Sequence, residues 1–410
     1  MKSLLSTLII SLGTILLLQA QETDPLHGVR VDVVYLASDY LEGRETGTQG
    51  EALAAAYIAQ RFEALGLTPA NENEWFQPFK FNFSKNPHAK PGSGTTRTGK
   101  NVVGFIDNKA ETTVIIGAHY DHIGHGHYGS RTPGDTAIHN GADDNASGVA
   151  AIIEVARQLT REYAPEDNNY LFIAFSGEEM GLYGSKHYAK KPLQSLESVN
   201  YMLNFDMVGR MNAEKTLVLT GAGTSPSWKP AIENANKQEL VLKTSDSGIG
   251  PSDHTSFYLK DIPVLHFFTG QHDDYHKPVD DSHLINFEGI QTVATYAVQL
   301  IRELEKDKKL AFTKTKDEQQ GRRAARFKVS LGIMPDYTAS VKGLRIDAVL
   351  DGRPAQKAGL ADGDIITQMG EKEITDIYTY MEGLAQFDDG DTAKITVKRG
   401  DETVEVEVQF

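Results

Sequence analysis

Thr113-Val114-Ile115-Ile116-Gly117-Ala118-His119-Tyr120-Asp121 opens as a short apolar run and ends in an imidazole, a phenol and a carboxylate. An uncharged run of this length, bounded by polar residues, fits a strand buried on both faces. The pattern returns twice. Tyr170-Leu171-Phe172-Ile173-Ala174-Phe175 gives way to Ser176-Gly177-Glu178-Glu179, and Met202-Leu203-Asn204-Phe205 gives way to Asp206. Between the first two runs, 147–159 carries Val149, Ile152, Ile153, Ala156 and Leu159 at helical spacing, with Ser147 placed as the N-cap. Buried strands separated by helices predict the α/β class, with a mixed, largely parallel sheet flanked by helices.

Upstream, 30–66 reads as helical, with Ala52, Ala55, Ala56, Ile58, Ala59 and Phe62 along an amphipathic helix. The turn Glu42-Gly43-Arg44-Glu45-Thr46-Gly47 interrupts it. Residues 86–100 are rich in Pro, Gly, Ser and Thr and predict a surface loop. Downstream, a helix over 287–306 closes a first domain spanning 21–306, and the charged segment 307–326 predicts a linker. Beyond it, Phe327, Val329 and Leu331, then Ile346, Ala348 and Leu350, then Ile395 and Val397, then Val404, Val406 and Val408 alternate as strands. The stretch 327–410 is therefore expected to be a small strand-rich domain.

The amino terminus reads differently. Lys2 precedes a nearly uninterrupted apolar run over 4–18, and Leu18-Gln19-Ala20 ends it with a small residue, the order of a secretory signal peptide over 1–20. A retained membrane anchor is the alternative, but a spanning helix needs roughly 20 apolar residues. The expectation is an exported protein, periplasmic or secreted in a bacterial envelope, with no stable membrane span after cleavage. The sequence has no cysteine, which excludes disulfides, thiolate metal ligands and a lipidated cysteine. Its net charge of −15 argues against nucleic acid or anionic lipid as a partner.

In an open α/β sheet, ligands gather beyond the carboxyl ends of the strands, so the polar residues that end the apolar runs are the ones to inspect. Two loop segments join them: Gly141-Ala142-Asp143-Asp144-Asn145-Ala146-Ser147-Gly148, and Tyr275-His276-Lys277-Pro278. Singly, each is an ordinary loop residue. Together, imidazoles and several carboxylates without thiols form a donor set suited to zinc. A spare carboxylate beside the donors is what a metal-activated water needs as its base.

These five ordered motifs resemble those of metallopeptidase family 28, which includes leucine-type aminopeptidases, with glutamate carboxypeptidase as a relative. The resemblance runs over about 29–305, and Tyr35-Leu36-Ala37 with Glu42-Gly43-Arg44 resembles the family's amino-terminal region. It implies a zinc-exopeptidase fold holding two Zn2+ per chain and acting on peptide substrates. His119 and Asp206 would hold one zinc, Glu179 and His276 the other, and Asp144, three residues before Ser147, would bridge them. Asp143 would then be structural. Glu178 would be the general base, Asp121 would hydrogen-bond the far nitrogen of His119 and fix its tautomer, and Tyr275 would donate to the developing oxyanion. Other activities on such a core are carboxypeptidase or other amide hydrolysis, or one-zinc glutaminyl cyclisation; against the last, the five-residue donor set is present. Asp206 and His276 are 70 residues apart, too close for the large lid that some relatives insert there. His122, His125, His127 and His139 match no ligand position and are expected at the pocket rim or surface, while Asp253-His254 would border the substrate pocket.

The carboxyl-terminal stretch resembles a PDZ domain of the bacterial-protease kind, through Ser330-Leu331-Gly332-Ile333, Gly352-Arg353-Pro354-Ala355, Ala358-Gly359-Leu360 and Asp362-Gly363-Asp364-Ile365-Ile366. That resemblance implies that Leu331, Gly332 and Ile333 present backbone N–H groups to the carboxylate of a C-terminal peptide ligand. A helix over 376–384 would line the groove. A peptide-binding protein built on this domain, with a degenerate enzyme core, is the reading from another class.

Overall fold

The computed structural model describes residues 26–70, 74–83, 95–132, 134–161, 167–305, 309–315, 329–335, 341–349, 352–375, 377–400 and 402–410. The expected signal peptide lies outside them, as does most of the expected linker.

The amino-terminal elements are helices α1 (His27–Leu36) and α2 (Gln49–Ala64), then strands β1 (Thr68–Pro69), β2 (Phe76–Phe83), β3 (Thr95–Ile106) and β4 (Thr112–His119). Helix α3 (Gly148–Arg161), β5 (Asn168–Phe175), α4 (Tyr183–Lys190), β6 (Val199–Phe205), β7 (Thr216–Thr220) and α5 (Trp228–Ala235) follow. The domain ends with β8 (Val241–Ser245), α6 (His254–Tyr258), β9 (Val264–Phe268) and α7 (Phe287–Leu304). The sheet order is β1-β3-β5-β4-β6-β9-β7-β8, with β2 paired to β3. Its centre, β5-β4-β6-β9, is parallel; β3 and β7 attach to that centre antiparallel. The sheet is mixed and largely parallel at its middle, as the apolar runs predict.

The apolar runs are strands because both faces are covered. In β4, Val114, Ile116 and Ala118 enter one core with α3 and α7, while Ile115 enters the core on the other face. In β5, Tyr170, Phe172 and Ala174 take the first face and Leu171, Ile173 and Phe175 the second. Each buried Val, Leu, Ile or Phe among them stabilises the fold by about 1.5–3 kcal/mol. The four parallel strands end on one edge, so the residues just after them are brought side by side.

Two details differ from expectation. Residues 95–100, expected in a loop, are the first half of β3, paired in register with β2 from Phe76↔Val102 to Phe83↔Thr95. Their Thr- and Gly-rich composition reads as loop, but pairing with a strand that buries Phe79 and Phe81 overrides it. Pro78 is tolerated because β2 lies off the main path of the sheet. The second detail is the cap of α3. Ser147 does not cap it; Asn145 Oδ1 accepts from Gly148 N at 2.9 Å. Ser147 Oγ instead donates to Asp143 O (2.7 Å) and accepts from Val208 N (2.9 Å), because 142–147 is a wide turn with non-helical angles at Asp144 and Asn145.

Residues 309–315, inside the segment expected to be a linker, lie on the first domain. Leu310 is buried and its N–H reaches Asn200 Oδ1 (2.8 Å), Thr313 N donates to Thr224 O (2.7 Å), and Thr315 N donates to Tyr258 Oη (2.9 Å). A chain ending after Thr315 should therefore keep the first domain's stability, whereas one ending at Lys309 should lose about 2–4 kcal/mol, from one buried Leu and these hydrogen bonds. Urea denaturation of both truncations checks this; equal midpoints would show that the strap contributes nothing.

The carboxyl-terminal domain is an antiparallel sheet of β10 (Ile333–Pro335), β11 (Leu344–Val349), β12 (Ile365–Met369), β13 (Lys372–Glu373), β14 (Thr392–Arg399) and β15 (Glu402–Gln409), with helices α8 (Pro354–Lys357) and α9 (Ile377–Leu384). Leu344, Ile346, Ile366, Met369, Leu384, Ile395 and Val397 fill its core. The first strand begins at Ile333, so Val329 and Leu331 are buried ahead of it; Phe327 and Leu350 lie outside the described residues.

Candidate metal centre

Asp144 stands at the centre of the site. Its Oδ1 lies 3.2 Å from His119 Nε2, and its Oδ2 lies 3.0 Å from His276 Nε2. One carboxylate thus faces two imidazoles with different oxygens. His119 Nε2 is also 3.3 Å from Asp206 Oδ1, and His276 Nε2 is 3.1 Å from Glu179 Oε2. Two donor groups result, His119-Asp144-Asp206 and His122-Asp144-Glu179-His276, each with its donor atoms within 4.8 Å of one another. All five residues expected as ligands fall in these groups, and His122 joins them.

The donors converge closely enough to share cations. Their separations of 3.0–3.3 Å fall just inside the edge of about 3.3–3.4 Å that a tetrahedron about zinc has with bonds of about 2.0–2.1 Å. His276 Nε2 is buried between two carboxylate oxygens yet makes no hydrogen bond of good angle among the described residues, as expected if a cation belongs between them. Its Nδ1 is held by Gly129 O at 2.7 Å, which leaves Nε2 as the free donor nitrogen. Burial works against charging His276, but Glu179 and Asp144 outweigh it and hold its pKa well above the usual value. Burial likewise pushes Glu179 up, and His276 reverses that, bringing it down to about 2. Such a concentration of buried carboxylate calls for cations.

Local structure explains how these side chains converge. The turn before α3 is tied to the end of β6 by Asn145, whose Nδ2 donates to Phe205 O (2.9 Å) and whose Oδ1 accepts from Met207 N (3.1 Å). Asp144 and Asp206 are thereby fixed to one another. Asp143 points away: Oδ1 accepts from Gly209 N (2.6 Å) and Oδ2 lies 3.1 Å from His272 Nε2. Asp280 accepts from the N–H groups of both Asp143 and Asp144, and burial, with Asp143 beside it, raises its pKa to about 6. Beneath the site, fully buried Arg44 donates to the carbonyls of Tyr120 (2.7 Å), Asn140 (2.6 Å), Gly141 (3.0 Å) and Leu36. It joins the strand end bearing His119 to the turn bearing Asp144. Gly43 beside it has φ +67, and a Cβ there would meet His139 O at 2.4 Å.

The half-buried Glu178 has its pKa raised well above the carboxylate range, first by burial and then by Glu179, Asp253 and Asp206. Its backbone N–H donates to Asp121 Oδ1 (3.1 Å). Asp121 therefore differs from expectation: the near partner of His119 Nδ1 is the Asp121 carbonyl (3.2 Å), with the carboxylate 3.7 Å away. The carboxylate is drawn off to the Glu178 N–H and to Thr46 Oγ1 (3.0 Å). Tyr275 stacks on His276 with centroids 3.9 Å apart, and its pKa is raised by burial and by Asp144, Glu179 and Glu178, so its hydroxyl keeps its proton. Asp253 and His254 are both buried; burial lifts Asp253 to about 7 and pushes His254 down.

Of the four loop histidines expected at the rim or surface, His125 is half-buried and His127 exposed. His139 is buried, bonded to Ser130 Oγ (2.8 Å) and Ala137 O (3.0 Å), and His122 is buried within the second donor group. For these two the expectation is corrected. Nothing in His122-Ile123-Gly124-His125-Gly126-His127 separates the first histidine from the others except the apolar residue after it.

In the second domain, Leu331 is buried and its carbonyl accepts from Ala355 N (2.8 Å), while Gly332 takes φ +75 with a Cβ position 2.1 Å from Arg353 Cβ. Only glycine fits there. Gly332 N–H donates to Ser330 Oγ (3.2 Å), and Ile333 opens β10.

Paired donor groups sharing one carboxylate, set at the carboxyl edge of a mixed sheet, place the first domain among the zinc-exopeptidase folds. Residues 101–301 match the family model "Peptidase family M28" and belong to that family, and residues 311–410 match the PDZ domain model. Aminopeptidase YwaD of Bacillus subtilis (strain 168) is 31% identical over 231 residues, 52% of this chain and 47% of the relative. A probable leucine aminopeptidase of Arthroderma otae is 31% identical over 172 residues, 40% of this chain and 45% of the relative. The matches thus span about half the length of these relatives. Among solved structures, the aminopeptidase from Aneurinibacillus sp. strain AM-1 superposes with a TM-score of 0.54 at 18% identity, covering 72% of this chain and 96% of that one. Porphyromonas gingivalis glutaminyl cyclase gives 0.54 at 17%, covering 68% and 98%. Likeness at this level shows the shared fold and does not separate the two activities.

Proposed function

We propose that the chain is a zinc-dependent exopeptidase, an aminopeptidase that hydrolyses N-terminal peptide bonds with two zinc ions per chain. The observation that carries this reading is the shared Asp144, with one oxygen toward His119 and the other toward His276, beside the spare carboxylate of Glu178. When bound, zinc supplies Lewis acidity toward the scissile carbonyl and makes water acidic enough to attack near neutral pH. His119, Asp206 and Asp144 would hold one ion; His276, Glu179 and Asp144 would hold the other. Glu178 takes the proton from the attacking water as the C–O bond forms, and delivers it to the leaving nitrogen as the C–N bond breaks. Asp121 positions Glu178 through its backbone N–H, and the protonated Tyr275 hydroxyl donates to the carbonyl oxygen as charge develops there. The family match and the relatives named as aminopeptidases support the exopeptidase reading.

The PDZ domain takes a C-terminal peptide, with the Leu331-Gly332-Ile333 turn receiving its carboxylate. Residues 1–20 direct export to the periplasm or beyond. Among the described residues no helix is long and apolar enough to cross a membrane.

The test joins metal analysis to a substrate panel. Purified protein should hold two zinc ions, lose activity to a chelator and regain it with zinc, and cleave aminoacyl reporters but not their N-blocked counterparts. Cleavage of C-terminal residues, or cyclisation of N-terminal glutamine, would move the activity elsewhere on the same core. Full activity without bound metal would overturn the reading.

A further inference from the structure

His122 is absent from the ligand set assigned above, yet it is fully buried against it. Its Nδ1 lies 2.7 Å from Glu179 Oε1 and 3.8 Å from Asp144 Oδ2. The first distance is a hydrogen bond, shorter than the 3.0–3.3 Å separations among the assigned donors. The two histidines also use different oxygens of Glu179: His276 faces Oε2, His122 faces Oε1. A carboxylate oxygen only accepts, so at this distance His122 Nδ1 must carry the proton. A protonated nitrogen has no lone pair for a metal. Among the described residues the other ring nitrogen, Nε2, is buried with no hydrogen-bond partner and makes no competing demand on the tautomer.

The ring is wedged in place. A Cβ on Gly141 would lie 2.5 Å from His122 Cγ and Cδ2, and the His276 ring stands edge-on at 5.5 Å. Gly141 itself carries φ +54, so the turn that leads to Asp144 is shaped around this imidazole.

We propose that His122 is a positioning residue for the second metal: its Nδ1–H holds Glu179 Oε1, keeping Glu179 a one-oxygen ligand with Oε2 turned toward His276. The inference rests on the two-metal reading above. Glu179 would otherwise be free to turn or to bind through both oxygens, and such outer hydrogen bonds are typically worth 10–100-fold in metal affinity.

The test titrates zinc into metal-free full-length protein against a chromophoric chelator, for wild type, His122→Ala and His122→Asn, with folding followed by circular dichroism. Wild type should show two sites; if it shows none, the two-metal reading fails before this one is reached. His122→Ala should weaken one site by about 10–100-fold and leave the other unchanged. His122→Asn, whose amide N–H can reach the same oxygen, should recover most of that loss. Since an amide is a poor zinc ligand, equal loss in both variants would mark His122 as a direct ligand and overturn the proposal, as would full affinity in His122→Ala. If His122→Ala does not fold, a crystal structure of the zinc-loaded wild type decides. An Nδ1–zinc distance of about 2.0–2.1 Å overturns the proposal, and a retained Nδ1–Oε1 contact supports it.

Discussion

Glu178→Gln should bind two zinc ions as wild type does and lose turnover by about 10²–10⁴-fold, the usual contribution of an acid–base group. Glu179→Gln should instead lose affinity for one of the two ions. The side chains are neighbours in sequence, but their surroundings separate them. Glu179 Oε2 lies 3.1 Å from His276 Nε2 and its Oε1 is held by His122, which together draw its pKa down to about 2. Among the described residues Glu178 has no such imidazole partner within hydrogen-bond reach, and burial raises its pKa. Glu179 faces an imidazole on each oxygen, as a ligand in the second donor group does; Glu178 lies outside both donor groups. Glutamine preserves shape at both positions, so differences between the variants report charge and basicity rather than packing. Zinc content by atomic absorption and turnover of an aminoacyl reporter, measured on both proteins, check the assignment. If Glu178→Gln loses a zinc while Glu179→Gln keeps both, the two roles are exchanged.

That contrast bears on what the sequence discloses. The strands and the positions at their ends are legible, because an apolar run that stops abruptly at His119, at Ser176 or at Asp206 is a property of consecutive residues. The parallel centre of the sheet then brings those ends together. What is not legible are contacts between loops. Asn145 caps α3 and fastens the bridging turn to Phe205 and Met207, although Ser147 stands in the better-known cap position. Arg44 stands out in the sequence only as part of a glycine-punctuated turn, yet it is fully buried against four carbonyls from three parts of the chain. His122 looks like His125 and His127 until the fold places one ring inside and another in solvent. The Asp121 carboxylate sits two residues after His119 as expected, but competition from Thr46 and the Glu178 N–H decides where it points. Sequence spacing names which groups are available; packing decides which partner each group takes.

Asp144→Asn should have the widest effect of any single substitution in the site, because Asp144 is the one residue common to both donor groups. Loss of Asp206 would remove a donor from the His119 group alone, and loss of Glu179 would do so for the His276 group alone. Asparagine keeps the volume and the buried setting of Asp144, including the backbone N–H held by Asp280 at 3.2 Å, so the fold should survive. It removes the negative charge between His119 and His276, and its amide nitrogen offers one of them a donor where a ligand is needed. Both metal affinities should therefore fall together, by more than the 10–100-fold typical of an outer hydrogen bond, and activity at limiting zinc should disappear. Calorimetric titration of zinc into Asp144→Asn, Asp206→Asn and Glu179→Gln separates the cases: two weakened sites in the first protein and one in each of the others. One weakened site in Asp144→Asn would show that Asp144 serves a single ion, and the bridging carboxylate would then have to be sought at Asp143, whose present partners are Gly209 N and His272 Nε2.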